Sequence, residues 1–372
     1  GPFPKKIFKK KNSFQFIIAN YFFLYFNGVK LGGIIMKIKS LIALVFSFLL
    51  LSYTNVNAQS LIFYVVPKMM QNPFYEPAAA GCAKAAEELE GISCVFIGPA
   101  QHNEEEQLQI VADLLAKGVD GISMAPSNAP AMGKLLRKQN TNNIPIITFD
   151  SDLQAEDRDL RLAYVGTHNY AIGVNLAKIT MELKPDGGTV CLLSGGAAAN
   201  NLNERMQGFR DTVVGSASSD PPGPRLTGQN GWSEVDGCPV YSNDDVALSV
   251  QQMADVMNKY EDLGAFVPVG GWPQFAEAAY KDAVEAHMDR VSSKKTLLVV
   301  ADTLPQQLEA LKAGLSHAQV GQKPYQMGYD SVYILKEVIE GNLRAVDDAS
   351  NNAIYTGLDI CLPENVDTCT GG

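Results

Sequence analysis

Asn72-Pro73-Phe74-Tyr75 follows an apolar run of strand character at Leu61–Val66 and precedes an apolar-alternating helix predicted over Glu76–Leu89. An amide beside two aromatic rings suits a polyhydroxylated ligand, because the amide meets hydroxyls while the rings lie against C–H faces. In an open α/β sheet the carboxyl end of a strand is where ligands sit, which is where this loop would lie. The other reading of the stretch is a plain strand-to-helix turn with its aromatics in the core. Other chemistry has less support. His102, His168, His287 and His317 are scattered, with no nucleophile–base spacing or zinc motif beside them. His168 is read as structural. Ser194-Gly195-Gly196 follows a strand but lacks the Lys and the Gly spacing of a phosphate loop. No enzyme, metal or cofactor is predicted.

The elements that must position such a loop begin after a targeting segment. Met36-Lys-Ile-Lys39 is cationic, Leu41–Leu51 is apolar, and Val56-Asn57-Ala58 is a small-x-small cleavage site, which together form a secretory signal peptide over residues 36–58. Residues 1–35 carry six Lys and no acids and read as an over-extended gene start or a sequence added for expression. The mature protein is expected to be exported, soluble and periplasmic, cut after Ala58. Residues 1–58 hold eight of the 30 Lys and Arg and none of the 40 Asp and Glu, so the remainder is 22 basic against 40 acidic, or −18. An acidic chain of this kind disfavours nucleic acid, whose phosphates ask for a basic face.

All six Cys lie after Ala58, without C-x-x-C spacing, and in an oxidising compartment they read as disulfides. Cys361 with Cys369, Cys82 with Cys94 and Cys191 with Cys238 is the pairing expected from proximity; a buried free thiol at Cys191 is the rival. About 314 mature residues predict two domains. Strands are expected at Leu61–Val66, Ser93–Ile97, Gly121–Ala125, Ile144–Phe149, Ala163–Val165, Thr189–Leu193, Ala265–Val269 and Thr296–Ala301. Helices fill the gaps between them, and this alternation means parallel sheets covered on both faces. Gly215–Tyr241, rich in Gly, Pro and Ser, is read as a long loop carrying Trp232 and Cys238.

Five landmarks in order resemble the periplasmic sugar-binding proteins of the ribose-binding type. They are Asn72-Pro-Phe-Tyr75, Ile144-Pro-Ile-Ile-Thr-Phe-Asp150, Asn203-Glu-Arg-Met-Gln-Gly-Phe209, Val299-Val-Ala-Asp302 and Gln319-Val-Gly-Gln322. The resemblance covers nearly all of residues 60–360. It implies an α/β type I periplasmic binding protein fold, with two doubly wound, Rossmann-like parallel-sheet lobes joined by a three-strand hinge. The lobes would be 60–165 plus 324–350, and 168–320 plus 353–372, with crossings near Gly166–His168, Gly321–Lys323 and Asn351–Tyr355. It also implies a monomer that captures a monosaccharide or polyol and delivers it to an inner-membrane ABC permease. The alternative is a sensor subunit presenting ligand to a chemoreceptor or histidine kinase. A DNA-binding repressor is excluded, because a signal peptide stands where its helix-turn-helix would be.

A hydroxyl donates and accepts, so it is met best by a carboxylate on one side and a cation or amide on the other, each charge-assisted bond contributing about 1.5–3 kcal/mol. Asp150 and Asp302 at strand ends are the expected acceptors. Arg205 offers a fork able to bridge adjacent hydroxyls, Asn72 and Gln322 supply both hydrogen-bonding senses, and Phe74, Tyr75 and Trp272 supply apolar walls. The competing roles are helix capping for the aspartates, a surface ion pair for Arg205, and core packing for Trp272 and Trp232. Ser151 stands where the ribose-type pattern has Arg, followed by Asp152, and Gly271-Trp272 replaces an Asn-Asp pair. The ligand set therefore includes Ser151 and Asp152, and the ligand is expected to be another aldose, a polyol or a modified cyclic polyol. The calcium-loop pattern of galactose-type relatives is not evident.

Overall fold

A computed structural model describes residues 60–372 apart from 140 and 142. The signal-peptide and leader readings fall on residues 1–59, outside the described residues. In chain order the elements are β1 (Leu61–Val66), α1 (Tyr75–Glu88), β2 (Ile92–Phe96), α2 (Glu104–Lys117), β3 (Gly121–Met124), α3 (Ala129–Lys138), β4 (Ile146–Phe149), β5 (Tyr164–Gly166) and α4 (Asn169–Leu183). Next come β6 (Gly188–Ser194), α5 (Asn200–Val214), β7 (Trp232–Glu234), β8 (Val240–Tyr241), α6 (Val246–Lys259) and β9 (Ala265–Pro268). They are followed by α7 (Trp272–Phe275), α8 (Glu277–Glu285), α9 (Met288–Ser292), β10 (Leu297–Ala301), α10 (Pro305–Lys312), β11 (Ala318–Gly321), α11 (Pro324–Glu340), β12 (Ala353–Tyr355) and β13 (Asp359–Cys361).

Every residue of β3, β4, β9, β10 and β11 is buried, so these strands show no in–out alternation; β9 and β10 are unbroken apolar runs, while Ser123, Thr148 and Gln319 are buried polar residues in the other three. One sheet has the order β2-β1-β3-β4-β5-β12 with all pairs parallel. The other runs β7-β6-β9-β10-β11-β13, with β8 beside β6 and only β13 antiparallel. Each lobe is thus doubly wound, and strand order reverses beside β1 and beside β6, the places where a crevice opens at the carboxyl edge. Asn103 and Asn128 cap α2 and α3 by accepting from Glu106 N at 3.0 Å and Ala131 N at 2.9 Å. His168 does the same for α4, its Nδ1 accepting from Ala171 N at 3.2 Å.

The chain passes to the second sheet between β5 and α4 and returns between β11 and α11. The third crossing differs from expectation. Ala353–Tyr355 pairs with Tyr164–Gly166 in the first sheet, so the crossing falls between Tyr355 and Asp359. Without β12, β5 would be a bare edge. The stretch Gly215–Tyr241 is not a single loop either, since Trp232–Glu234 and Val240–Tyr241 both pair with β6. Trp232 is 1% exposed in the second lobe's core. The three Cys pairs expected from proximity are at bonding distance, with Cα separations of 5.8, 5.3 and 6.1 Å.

Helices α4 and α5 meet backbone to backbone. A Cβ on Gly173 would lie 1.9 Å from the carbonyl oxygen of Arg205, and one on Gly208 would lie 2.1 Å from that of Tyr170. The absence of side chains at these two positions sets how deeply Arg205 is carried into the molecule. Gly173→Ala is expected to cost about 1–3 kcal/mol by forcing the helices apart, and to lower Tm by several degrees in a thermal melt. An unchanged Tm would mean that the close approach is not needed for stability.

Candidate functional site

The loops after β1, β4, β6, β9, β10 and β11 converge at the facing carboxyl edges of the two sheets, around a narrow cleft that is partly open to solvent. Cross-lobe hydrogen bonds draw the lobes together: Lys68 Nζ donates to Asn201 Oδ1 at 2.7 Å, Ala129 N to Ala198 O at 3.0 Å, and Arg158 to Glu204 at 3.0 Å.

Asp150 and Asp302 end β4 and β10 in equivalent places, and both adopt a left-handed backbone, with φ of 56° and 71°. That conformation is uncommon for aspartate. It turns each carboxylate into the cleft, and neither caps the following helix. Asp150 accepts from the Tyr75 hydroxyl at 2.7 Å and from Asn201 at 3.4 Å. Asp302 accepts from Gly271 N at 2.8 Å and from Gln322 Nε2 at 2.7 Å. Between them lies Arg205, 2% exposed and so not a surface ion-pair partner. Its guanidinium donates to Asn169 Oδ1, Val269 O and Gln322 Oε1, each at 2.9 Å, and stands 3.8 Å from Asp150.

Asn72 accepts from Phe74 N at 3.0 Å, a turn that places Phe74 and Tyr75 edge to face with centroids 5.3 Å apart. Both rings line the cleft, as does Trp272 on the other lobe. Burial lifts the Tyr75 phenol well above its ordinary range, and neighbouring Asp150 adds to this, so the hydroxyl stays a donor. Asn72, Phe74, Tyr75, Asp150, Arg205, Trp272, Asp302 and Gln322 all face one cavity. Ser151 and Asp152 do not. Ser151 is fully buried beneath the loop, and Asp152 is bound within its own lobe by Arg161, whose Nε and terminal nitrogen donate at 3.0 and 2.6 Å. A residue following a strand end points away from its neighbour, and Arg161 fully engages the carboxylate.

The family described as periplasmic binding protein domain matches residues 63–343. The chain belongs to this family. Among curated relatives, the ribose import binding protein RbsB of Salmonella typhimurium is 24% identical over 308 residues, covering 82% of this chain and 94% of that protein. Among solved structures, an ABC transporter solute-binding protein from Burkholderia graminis in complex with D-arabinose superposes with a TM-score of 0.69 at 23% identity, covering 84% of this chain and 99% of that one. GanP, a glucose-galactose binding protein from Geobacillus stearothermophilus, gives 0.67 at 26% identity, covering 82% and 98%.

The cleft of this periplasmic binding protein also contains Lys68, Asn201 and Asp244, which the sequence reading missed. Asn201 stands one helical turn before Arg205 on α5, and that spacing is a signal for it; Lys68, in the irregular loop ahead of Asn72, has none. Asp244 gave none, because an aspartate before a helix reads as a cap; here the neighbouring Asp245 caps α6, accepting from Leu248 N at 2.8 Å.

Burial holds the Asp302 carboxyl above its ordinary value, against the opposing pull of Arg205. A raised carboxyl binds its proton more tightly folded than unfolded. It therefore favours folding at low pH, and that contribution is lost as pH rises from the unfolded value of about 3.9 through the folded one. With no sugar present, the wild type is expected to lose stability across this window more steeply than Asp302→Asn, by up to about 1.4 kcal/mol per pH unit. Melting curves against pH check this, and parallel profiles for the two proteins would refute it.

Proposed function

We propose that this exported protein captures a monosaccharide or polyol between its lobes in the periplasm and delivers it to an ABC-type transporter. The observation that carries the reading is the convergence of Asp150, Arg205, Asp302 and Gln322 on one cleft that the rings of Phe74 and Trp272 also line. Carboxylates, a planar fork and amides, already hydrogen-bonded to one another, present fixed donors and acceptors to hydroxyls, while the rings take the C–H faces. Nothing in the set is a nucleophile with its base, so the reading is reversible binding. The relatives support it, since the names they carry refer to ribose, D-arabinose, and glucose with galactose. Because one lobe contributes Asn72, Phe74, Tyr75 and Asp150 and the other Arg205, Trp272 and Asp302, ligand would favour the closed lobes, as in hinge-closing binders.

The test is a thermal-shift screen of the refolded, ligand-stripped protein against monosaccharides, polyols, inositols and amino acids. A ligand bound only by the folded state raises Tm by mass action, equivalent to about 2.7 kcal/mol at a hundredfold excess over Kd. A shift with a sugar or polyol supports the reading. Silence across both classes, with a shift from amino acids, would overturn it.

A further inference from the structure

Beyond the Asp150–Arg205–Asp302 set, the cleft has a second charged pole with one member on each lobe. Lys68 comes from the loop after β1 and is 3% exposed; Asp244 comes from the turn before α6 and is 4% exposed. Both line the cavity. An ammonium has three donors, and among the described residues Lys68 uses one, on Asn201. Asp244 Oδ2 is buried without a hydrogen-bond partner, and the imidazole Nδ1 of His102, likewise unpartnered, lies 3.4 Å away. No ion pair within 4.0 Å joins Lys68 to Asp244. Asp244 shares the left-handed backbone of the two other cleft aspartates, with φ of 59°. Burial lowers the Lys68 ammonium, and among the charges restoring it Asp244 acts most strongly. Burial pushes the Asp244 carboxyl up, but His102 and Lys68 outweigh this and hold it below its ordinary value. The pole is thus a buried donor and a buried acceptor that face one cavity without meeting.

Resting on the sugar reading of the cleft, we infer that Lys68 and Asp244 select a neutral ligand bearing a free hydroxyl at this pole, which accepts from the ammonium and donates to the carboxylate. A deoxy analogue at that carbon would leave the remaining Lys68 donors and Asp244 Oδ2 without a ligand partner, the situation in which a site built for a hydroxyl discriminates hardest. A uronic acid there would bring a carboxylate against Asp244, in a cleft lined by Asp150, Asp244 and Asp302 against only Lys68 and Arg205. An amino sugar would bring its ammonium against Lys68. The pole therefore sets which carbon must carry a hydroxyl, and it links that hydroxyl to lobe closure.

The experiment is calorimetric titration of the wild type with D-ribose, D-arabinose, D-galactose, D-glucose, D-allose and myo-inositol. The best binder is then compared with its monodeoxy and carboxylate analogues on the wild type, Lys68→Met, Asp244→Asn and Asp302→Asn. We expect one monodeoxy analogue to bind the wild type at least about 30-fold more weakly than its parent. Lys68→Met and Asp244→Asn should lose about the same factor for the parent while treating parent and analogue alike within threefold. The comparison on the wild type needs no variant to fold. If no monodeoxy analogue loses more than threefold, or if the parent binds Lys68→Met and Asp244→Asn as it binds the wild type, the pole is overturned. A large loss in Asp302→Asn alone would then leave the sugar reading intact. If no sugar or polyol binds the wild type, both fall together.

Discussion

Arg205→Ala is expected to abolish measurable sugar binding, weakening affinity by at least about a hundredfold, and to destabilise the protein by about 3 kcal/mol or more. The guanidinium is 2% exposed and satisfies Asn169, Val269 O and Gln322 at once. Its removal leaves three buried acceptors unpaired and withdraws the cation that stands between Asp150 and Asp302. The two effects separate in one set of measurements: Tm without sugar reports the structural loss, and the sugar-dependent shift reports the binding loss. Arg205→Lys should recover part of the stability but little of the affinity, because a point charge cannot donate in three directions from one plane. Wild-type affinity in Arg205→Ala would remove this residue from the site.

The second large effect concerns the link between β6 and the segment joining β7 to β8. Replacing Cys191 and Cys238 together with alanine is expected to cost about 4 kcal/mol, against about 3 kcal/mol for the Cys82–Cys94 pair and slightly less for Cys361–Cys369. The ranking follows sequence separations of 47, 12 and 8, since a longer closed loop removes more entropy from the unfolded chain. Cys191 is fully buried within β6, whose carboxyl end leads into Asn201 and Arg205. Loss of this pair should therefore also loosen the second lobe's half of the cleft. Urea unfolding of the three double variants checks the order. Equal stabilities would show that native contacts, not loop closure, dominate.

Much of the architecture was legible because parallel strands buried on both faces leave short, near-continuous apolar runs between helical segments, as in Leu297–Ala301. The short strands were not. Trp232–Glu234 and Val240–Tyr241 are too brief to show a period, and they are strands only because β6 offers both of them backbone partners. Ala353–Tyr355 likewise takes its lobe from register with β5 rather than from any local signal. Asp150 and Arg205 both reach the cleft, as their type and place suggest, whereas Asp152 does not, because Arg161, outside the motif, engages its carboxylate within its own lobe.

Alternating strands and helices, the first-loop amide and aromatics, and the strand-end aspartates are legible in the chain, because periodicity and strand ends are local properties; the two doubly wound lobes are what the family resemblance implies. Which polar groups share the cleft is settled only in the packed fold. Lys68 and Asp244 are 176 positions apart, in residue types that ordinarily face water or cap helices, and neither has a local pattern that marks it as buried. They meet one cavity because lobe closure brings the carboxyl edges of two separate sheets together, and burial is a property of that packed arrangement rather than of either segment.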